Sequence, residues 1–103
     1  MGNPMKCRTK LEGDVVQVRV LMSHVMETGQ RKTPQGETIP AHFIQLVTVT
    51  YKERTVLSAQ WGPAISRNPY LSFKFQGAAK GEKIKIAWKD NTGDTRVDEA
   101  AIE

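Results

Sequence analysis

The sequence predicts an all-β fold, an immunoglobulin-like antiparallel β-sandwich of about seven strands. Three observations carry this. Several segments alternate apolar and polar residues at period two, which sends one face inward and the other outward. Turn signals recur about every 8 to 12 residues, the spacing of a sandwich. No segment sustains the apolar spacing of a helix. The 103 residues form one domain, 1–103, long enough to bury a core without much stability to spare.

Lys6–Leu11 reads as a short edge strand, ended by the Glu12-Gly13-Asp14 turn. In Val15–Ser23, Val16, Val18, Val20 and Met22 alternate with Gln17, Arg19 and Leu21, giving one strongly apolar face. Ala41–Tyr51 is β-branched and aromatic, with Val47, Val49 and Tyr51 on one side. Phe43, Ile44 and Leu46 break that parity, so a bulge or a change of sheet is expected there. Lys52-Glu53-Arg54 reverses the chain into Thr55–Trp61, where Leu57, Ala59 and Trp61 point inward. Tyr70–Gln76 places Leu71, Phe73 and Phe75 inward. Glu82–Lys89 places Ile84, Ile86 and Trp88 inward and Lys83, Lys85 and Lys89 outward. That lysine stripe reads as a solvated face that also blocks unwanted strand pairing. Asp90–Asp94 is a glycine-bearing hairpin connection, and Thr95–Ile102 closes the chain as a weak last strand.

One interruption stands out. His24–Pro40 is seventeen residues with two glycines, two prolines and charges of both signs. A connection this long in a small domain is usually functional or disordered. Met26, Ile39 and a turn at Gly29 act as anchors, which argues for order. Glu27 and Arg31, four apart, are expected to pair and stiffen it. If each connection reverses the chain, loops 24–40, 62–69 and 90–94 share one end of the sandwich. Turns 12–14, 52–54 and 77–81 share the other. The long-loop end is where recognition is expected.

Composition narrows the function. Charged residues make up 25% and apolar ones 39%, an ordinary globular balance. The net charge of +4 is modest, and no basic run interleaved with aromatics points to nucleic acid. No apolar run is long enough to insert in a membrane. The start, MGNPMKCRTK, lacks the apolar stretch of a signal peptide, and Met1-Gly2 reads either as native or as an expression remnant. A single cysteine, Cys7, excludes an internal disulfide. Flanked by Lys6 and Arg8, it could act as a thiolate if exposed. The plainer reading is a small apolar residue on an edge strand.

Met22, His24 and Met26 spell M-x-H-x-M, and soft sulfur with imidazole suits copper. A periplasmic copper-binding β-sandwich protein is therefore the alternative function. No second histidine or cysteine stands nearby in the sequence, and methionine commonly fills gaps. His24 and His42 have no nucleophile or carboxylate beside them in sequence, so each reads as a structural hydrogen-bonding group. No catalytic residue, cofactor or metal site is expected. The residues alone indicate a binding module.

Three segments make the chain familiar: SHVMETGQR at Ser23–Arg31, GETIPAHFI at Gly36–Ile44 and PAISRNPYLSF at Pro63–Phe73. In these and their spacing the chain resembles the SoxZ family, the small subunit of the SoxYZ thiosulfate-oxidation carrier complex. Val25 stands where the family commonly has proline, and Arg67 where a small residue is usual. The resemblance implies a heterodimer with SoxY, whose cysteine on a glycine-rich C-terminal arm carries the sulfur. It implies transient docking to enzymes of the SoxAX, SoxB and SoxCD type, and a periplasmic location reached by co-export with a signal-bearing SoxY. The ending DEAAIE has no GGCGG tail, which fits the non-carrier subunit. The residues expected to meet partners are Met26, Glu27, Gly29, Arg31, Ile65, Asn68, Pro69 and Tyr70 at the loop end. Leu21, Phe43 and Ile44, off-parity for a single core face, are assigned to the SoxY side.

Overall fold

The computed structural model describes residues 4–103, and Met1-Gly2 lies outside them. Seven strands form: β1 (Lys6–Glu12), β2 (Val15–Leu21), β3 (Ile44–Tyr51), β4 (Arg54–Gln60), β5 (Tyr70–Gln76), β6 (Lys83–Asp90) and β7 (Thr95–Ala101). They make two antiparallel sheets, β1-β2-β5 and β4-β3-β6-β7. This is the β-sandwich that the alternation predicts.

The core is the inner row of each central strand. Val16, Val18, Val20 and Met22 meet Ile44, Val47, Val49, Ile84 and Ile86, all fully buried, with Tyr51 and Trp88 nearly so. Each such side chain is worth about 1.5–3 kcal/mol of burial. The edge strands contribute less. Leu57, Ala59, Trp61, Leu71, Phe73 and Phe75 point inward as expected but are only half-buried, because β4 and β5 are sheet edges. On the opposite side the C-terminal tail closes the seam. The Leu11 amide donates to the Glu103 carbonyl (2.8 Å) and the Thr9 hydroxyl to the Ala101 carbonyl (2.7 Å).

The expected irregularity falls where parity breaks: the β3–β6 register slips between Ile44 and Leu46. A second slip lies between Val49 and Thr50 against β4. The β3–β4 turn places Lys52 and Glu53 at φ 47° and 65°, the left-handed pair of a two-residue hairpin.

The loops sort to two ends as parity requires. Met22 N donates to Pro69 O (2.9 Å) and Asn68 N to His24 O (2.9 Å), joining the first two long loops. Asn91 ties in the third through Phe43 O (3.0 Å) and Ala41 O (2.8 Å). At the other end Gly77 N reaches Asp14 O (3.3 Å) and the Arg54 guanidinium reaches Gln76 O (3.2 Å). The molecule measures 55 × 21 × 19 Å.

Candidate interaction surface and the hub beneath it

The long loop is an arm folded back on itself. Glu27 and His42 exchange both backbone bonds (2.7 and 3.0 Å), Ile39 N donates to Arg31 O (2.8 Å), and Thr33 N to Glu37 O (2.8 Å). The Arg31 guanidinium grips the Glu27 carboxylate through Nε (3.2 Å) and Nη2 (2.5 Å), the pair expected from the sequence. That bond holds the Glu27 carboxyl below its usual range and raises Arg31. Gly29 sits at φ +87°, and a Cβ there would stand 3.1 Å from the Ala41 Cβ, so the two sides of the arm close only over glycine.

Where arm meets sandwich, three side chains from distant segments converge. The buried Asp90 carboxylate accepts from His24 Nε2 (3.1 Å) and His42 Nε2 (2.8 Å) on Oδ2. Its Oδ1 accepts from the Thr92 amide (3.0 Å), the Thr92 hydroxyl (2.7 Å) and the Asp94 amide (3.0 Å). Burial alone would push this carboxyl up. The bonds from Thr92, His24, His42 and the Asp94 N–H outweigh it and hold Asp90 well below the usual carboxylate range. The His24 ring packs edge-on to His42 (4.7 Å) and Trp88 (5.0 Å).

The hub fixes its own tautomer. The Met26 amide donates to His24 Nδ1 (3.1 Å), so the ring hydrogen of a neutral His24 is on Nε2, facing Asp90. His24, His42 and Asp90 bring their ligand-type atoms within 4.8 Å of one another, close enough to raise the question of a metal. With hydrogen on Nε2, however, His24 offers no lone pair there. The Met26 sulfur accepts from the Ile44 amide (3.4 Å), and Met22 is fully buried. Of the M-x-H-x-M residues, His24 and Met26 thus spend their donor atoms on the protein itself, and Met22 is core. The cluster is a hydrogen-bonded hub that ties the arm, β6 and the β6–β7 turn together.

This arrangement decides what the expected partner residues can do. Arg31, Asn68 and Tyr70 are exposed, and Glu27, Gly29, Phe43 and Ile65 are half-buried. Met26, Pro69 and Ile44 are buried and offer almost no surface. Ile44 belongs to the core because the slip beside it turns its side chain inward, so it is not the exposed partner contact expected from the sequence. Met26 (φ 49°) and Asn68 (φ 52°) shape the loops through left-handed backbone turns. Leu21 and Val25 are exposed and add apolar surface at this end.

Sequence reasoning missed Asp90, which looked like an ordinary turn residue. The one signal was the pattern Asp-Asn-Thr-Gly-Asp, in which a first aspartate can accept from later amides of its own turn. Nothing local linked it to His24 and His42, 66 and 48 residues away. Cys7 is half-buried, and burial pushes its thiol up to about 11. The flanking Lys6 and Arg8 point away to the outer face, so the thiolate the sequence allowed is disfavoured.

The fold and this end define a class: an immunoglobulin-like β-sandwich whose long loops are tied together at one end by a buried hydrogen-bonded hub. Residues 5–101 match the family described as Sulphur oxidation protein SoxZ. The chain belongs to that family and so has a role in the sulfur oxidation system. Among curated proteins none matches closely enough to count as a relative. Solved structures show the same fold at low identity. A hypothetical protein of Pyrococcus horikoshii OT3 is 19% identical at TM-score 0.62, covering 98% of this chain and 87% of that one. A superoxide reductase in its oxidised state is 16% identical at 0.60, covering 96% and 86%. A superoxide reductase (neelaredoxin) of Archaeoglobus fulgidus is 16% identical at 0.56, covering 97% and 86%. At these identities the likeness concerns the fold alone.

Proposed function

We propose that this chain is the non-catalytic subunit of a SoxYZ-type carrier complex. It binds SoxY as a heterodimer and helps present SoxY's sulfur-loaded cysteine arm to the enzymes that load, oxidise and hydrolyse the bound sulfur. The observation that carries this is the family match over residues 5–101. Two features support it. The one thiol of the chain is held protonated by burial, so it is poorly suited to carry sulfur itself. The conspicuous loop-end cluster spends its donor atoms on holding loops, which suits a rigid presenting surface rather than chemistry. The expected location remains the periplasm, reached by export together with SoxY.

Co-expression with a SoxY-type protein is the test. A stable complex that survives gel filtration is expected. Failure to co-purify overturns the proposal. Mass spectrometry after thiosulfate and oxidant treatment should place the adduct on the SoxY cysteine, and an adduct on Cys7 would make this chain a carrier in its own right.

A further inference from the structure

The outer face of the β1-β2-β5 sheet collects the protein's excess charge. The registers stack its outward residues in rows: Lys6, Leu21 and Tyr70; Arg8, Arg19 and Ser72; Lys10, Gln17 and Lys74. Lys6, Arg8, Lys10, Arg19 and Lys74 are all exposed. The one carboxylate on the face, Glu12, is bound to Lys10 at 2.9 Å. The chain has 15 cations and 11 carboxylates. Five cations and one carboxylate lie on this face, so the rest of the molecule carries ten of each and is balanced. The net charge of the protein is the net charge of one sheet face.

The spacing is as informative as the count. Arg8 and Arg19 are direct cross-strand partners. Like charges directly opposite destabilise a sheet. Among the described residues neither guanidinium is in an ion pair. With Lys10, Thr9 and Gln17 they line a shallow depression of about 280 Å³. The lysine stripe on the opposite sheet is tempered, since Lys85 stands directly across from Glu99.

We propose that this face is an electrostatic docking surface for the carboxylate-rich surface of a protein partner. This goes beyond the carrier-subunit reading and does not depend on which surface holds SoxY. Guanidinium forks match carboxylates in paired geometry. The basic rows end in exposed Leu21 and Tyr70, and Arg beside Tyr and apolar surface is the composition of a protein interface. Nucleic acid fits less well. Tyr70 at the end of the face is the one aromatic among its outward residues, whereas single strands are gripped by successive stacking rings. Steering of this kind raises the rate of encounter and fades with salt, which suits reversible docking.

The test titrates the full chain with short poly-L-glutamate and, separately, a short DNA duplex. Two variants matched in net charge are compared: Arg8→Gln/Arg19→Gln on this face and Lys83→Gln/Lys85→Gln on the other sheet. Poly-L-glutamate should bind at low ionic strength and weaken at about 0.15 M. The arginine variant should lose about tenfold or more in affinity, and the lysine variant far less. Amide shifts in NMR spectra should map to β1, β2 and β5. Equal losses in the two variants would mean that net charge alone is read, and the proposal falls. It falls equally if poly-L-glutamate does not bind, or if the duplex binds more tightly and identifies the face as a nucleic-acid surface.

Discussion

Asp90 at the loop end and Glu82 at the turn end each gather donors from distant segments, but at different depths. Asp90 is sealed from water and accepts five hydrogen bonds. Glu82 is partly exposed; it takes the Tyr51 hydroxyl, the Lys52 ammonium and the Ala79 amide (2.8 Å). Both carboxyls are held low. Glu82 falls to about 2, first through Lys52, then Tyr51 and Ala79. The loop end thus depends on a desolvated hub, whereas the turn end uses a charge pair open to solvent. A buried charge is costly to strip of its partners, and an exposed one is not. The loop end is therefore the end whose geometry is enforced.

The largest effect should come from Asp90→Asn. The amide puts a donor where the histidines and backbone amides already donate, so the change should cost about 3–5 kcal/mol in urea unfolding. It should also loosen the arm, read as faster amide exchange at Glu27 and His42. A variant as stable as the parent, with exchange unchanged, would remove the hub from the account. Next comes His42→Ala. His42 is partly exposed and makes one of five bonds, so about 1 kcal/mol is expected. If His42→Ala cost as much as Asp90→Asn, the five bonds would be one indivisible unit.

The difference between the ends also marks what the sequence could disclose. The strand spans, the core rows of β2, β3 and β6, the irregularity near Ile44 and the Glu27–Arg31 pair were all legible, because each rests on neighbours in sequence. So was the sorting of loops, which needs only direction reversal. The hub was not legible, because His24 and His42 lie 66 and 48 residues from Asp90 and meet it only through the fold. The basic face was hidden differently. Lys6, Arg8, Lys10, Arg19 and Lys74 each look like ordinary outward residues, and only register places Arg8 across from Arg19.

Acid should affect both ends in the same direction. A carboxyl lower in the folded state than in the unfolded chain adds stability above its unfolded value, and the gain is lost as pH falls through the folded one. For Glu82 that window runs from 4.5 down to about 2. For Asp90 it opens below 3.8 and extends further into acid. The stability difference between the parent and Glu82→Gln should therefore close by about pH 2. A difference that widened toward acid would reverse the assignment.

The smallest expected effect separates the ends most cleanly. Glu82→Gln keeps an oxygen for Tyr51 and Ala79 and removes only the charge that Lys52 meets. Its effect on the melting temperature should be smaller than that of His42→Ala. In about 1 M salt the Debye length is about 3 Å, so a pair in contact with water is screened and a buried one is not. Salt should then erase most of the difference between the parent and Glu82→Gln, and leave the difference between the parent and Asp90→Asn in place. If both differences survived salt, Lys52 and Glu82 would be as well shielded as the hub. The turn end would then be a second enforced surface, equally able to hold a partner.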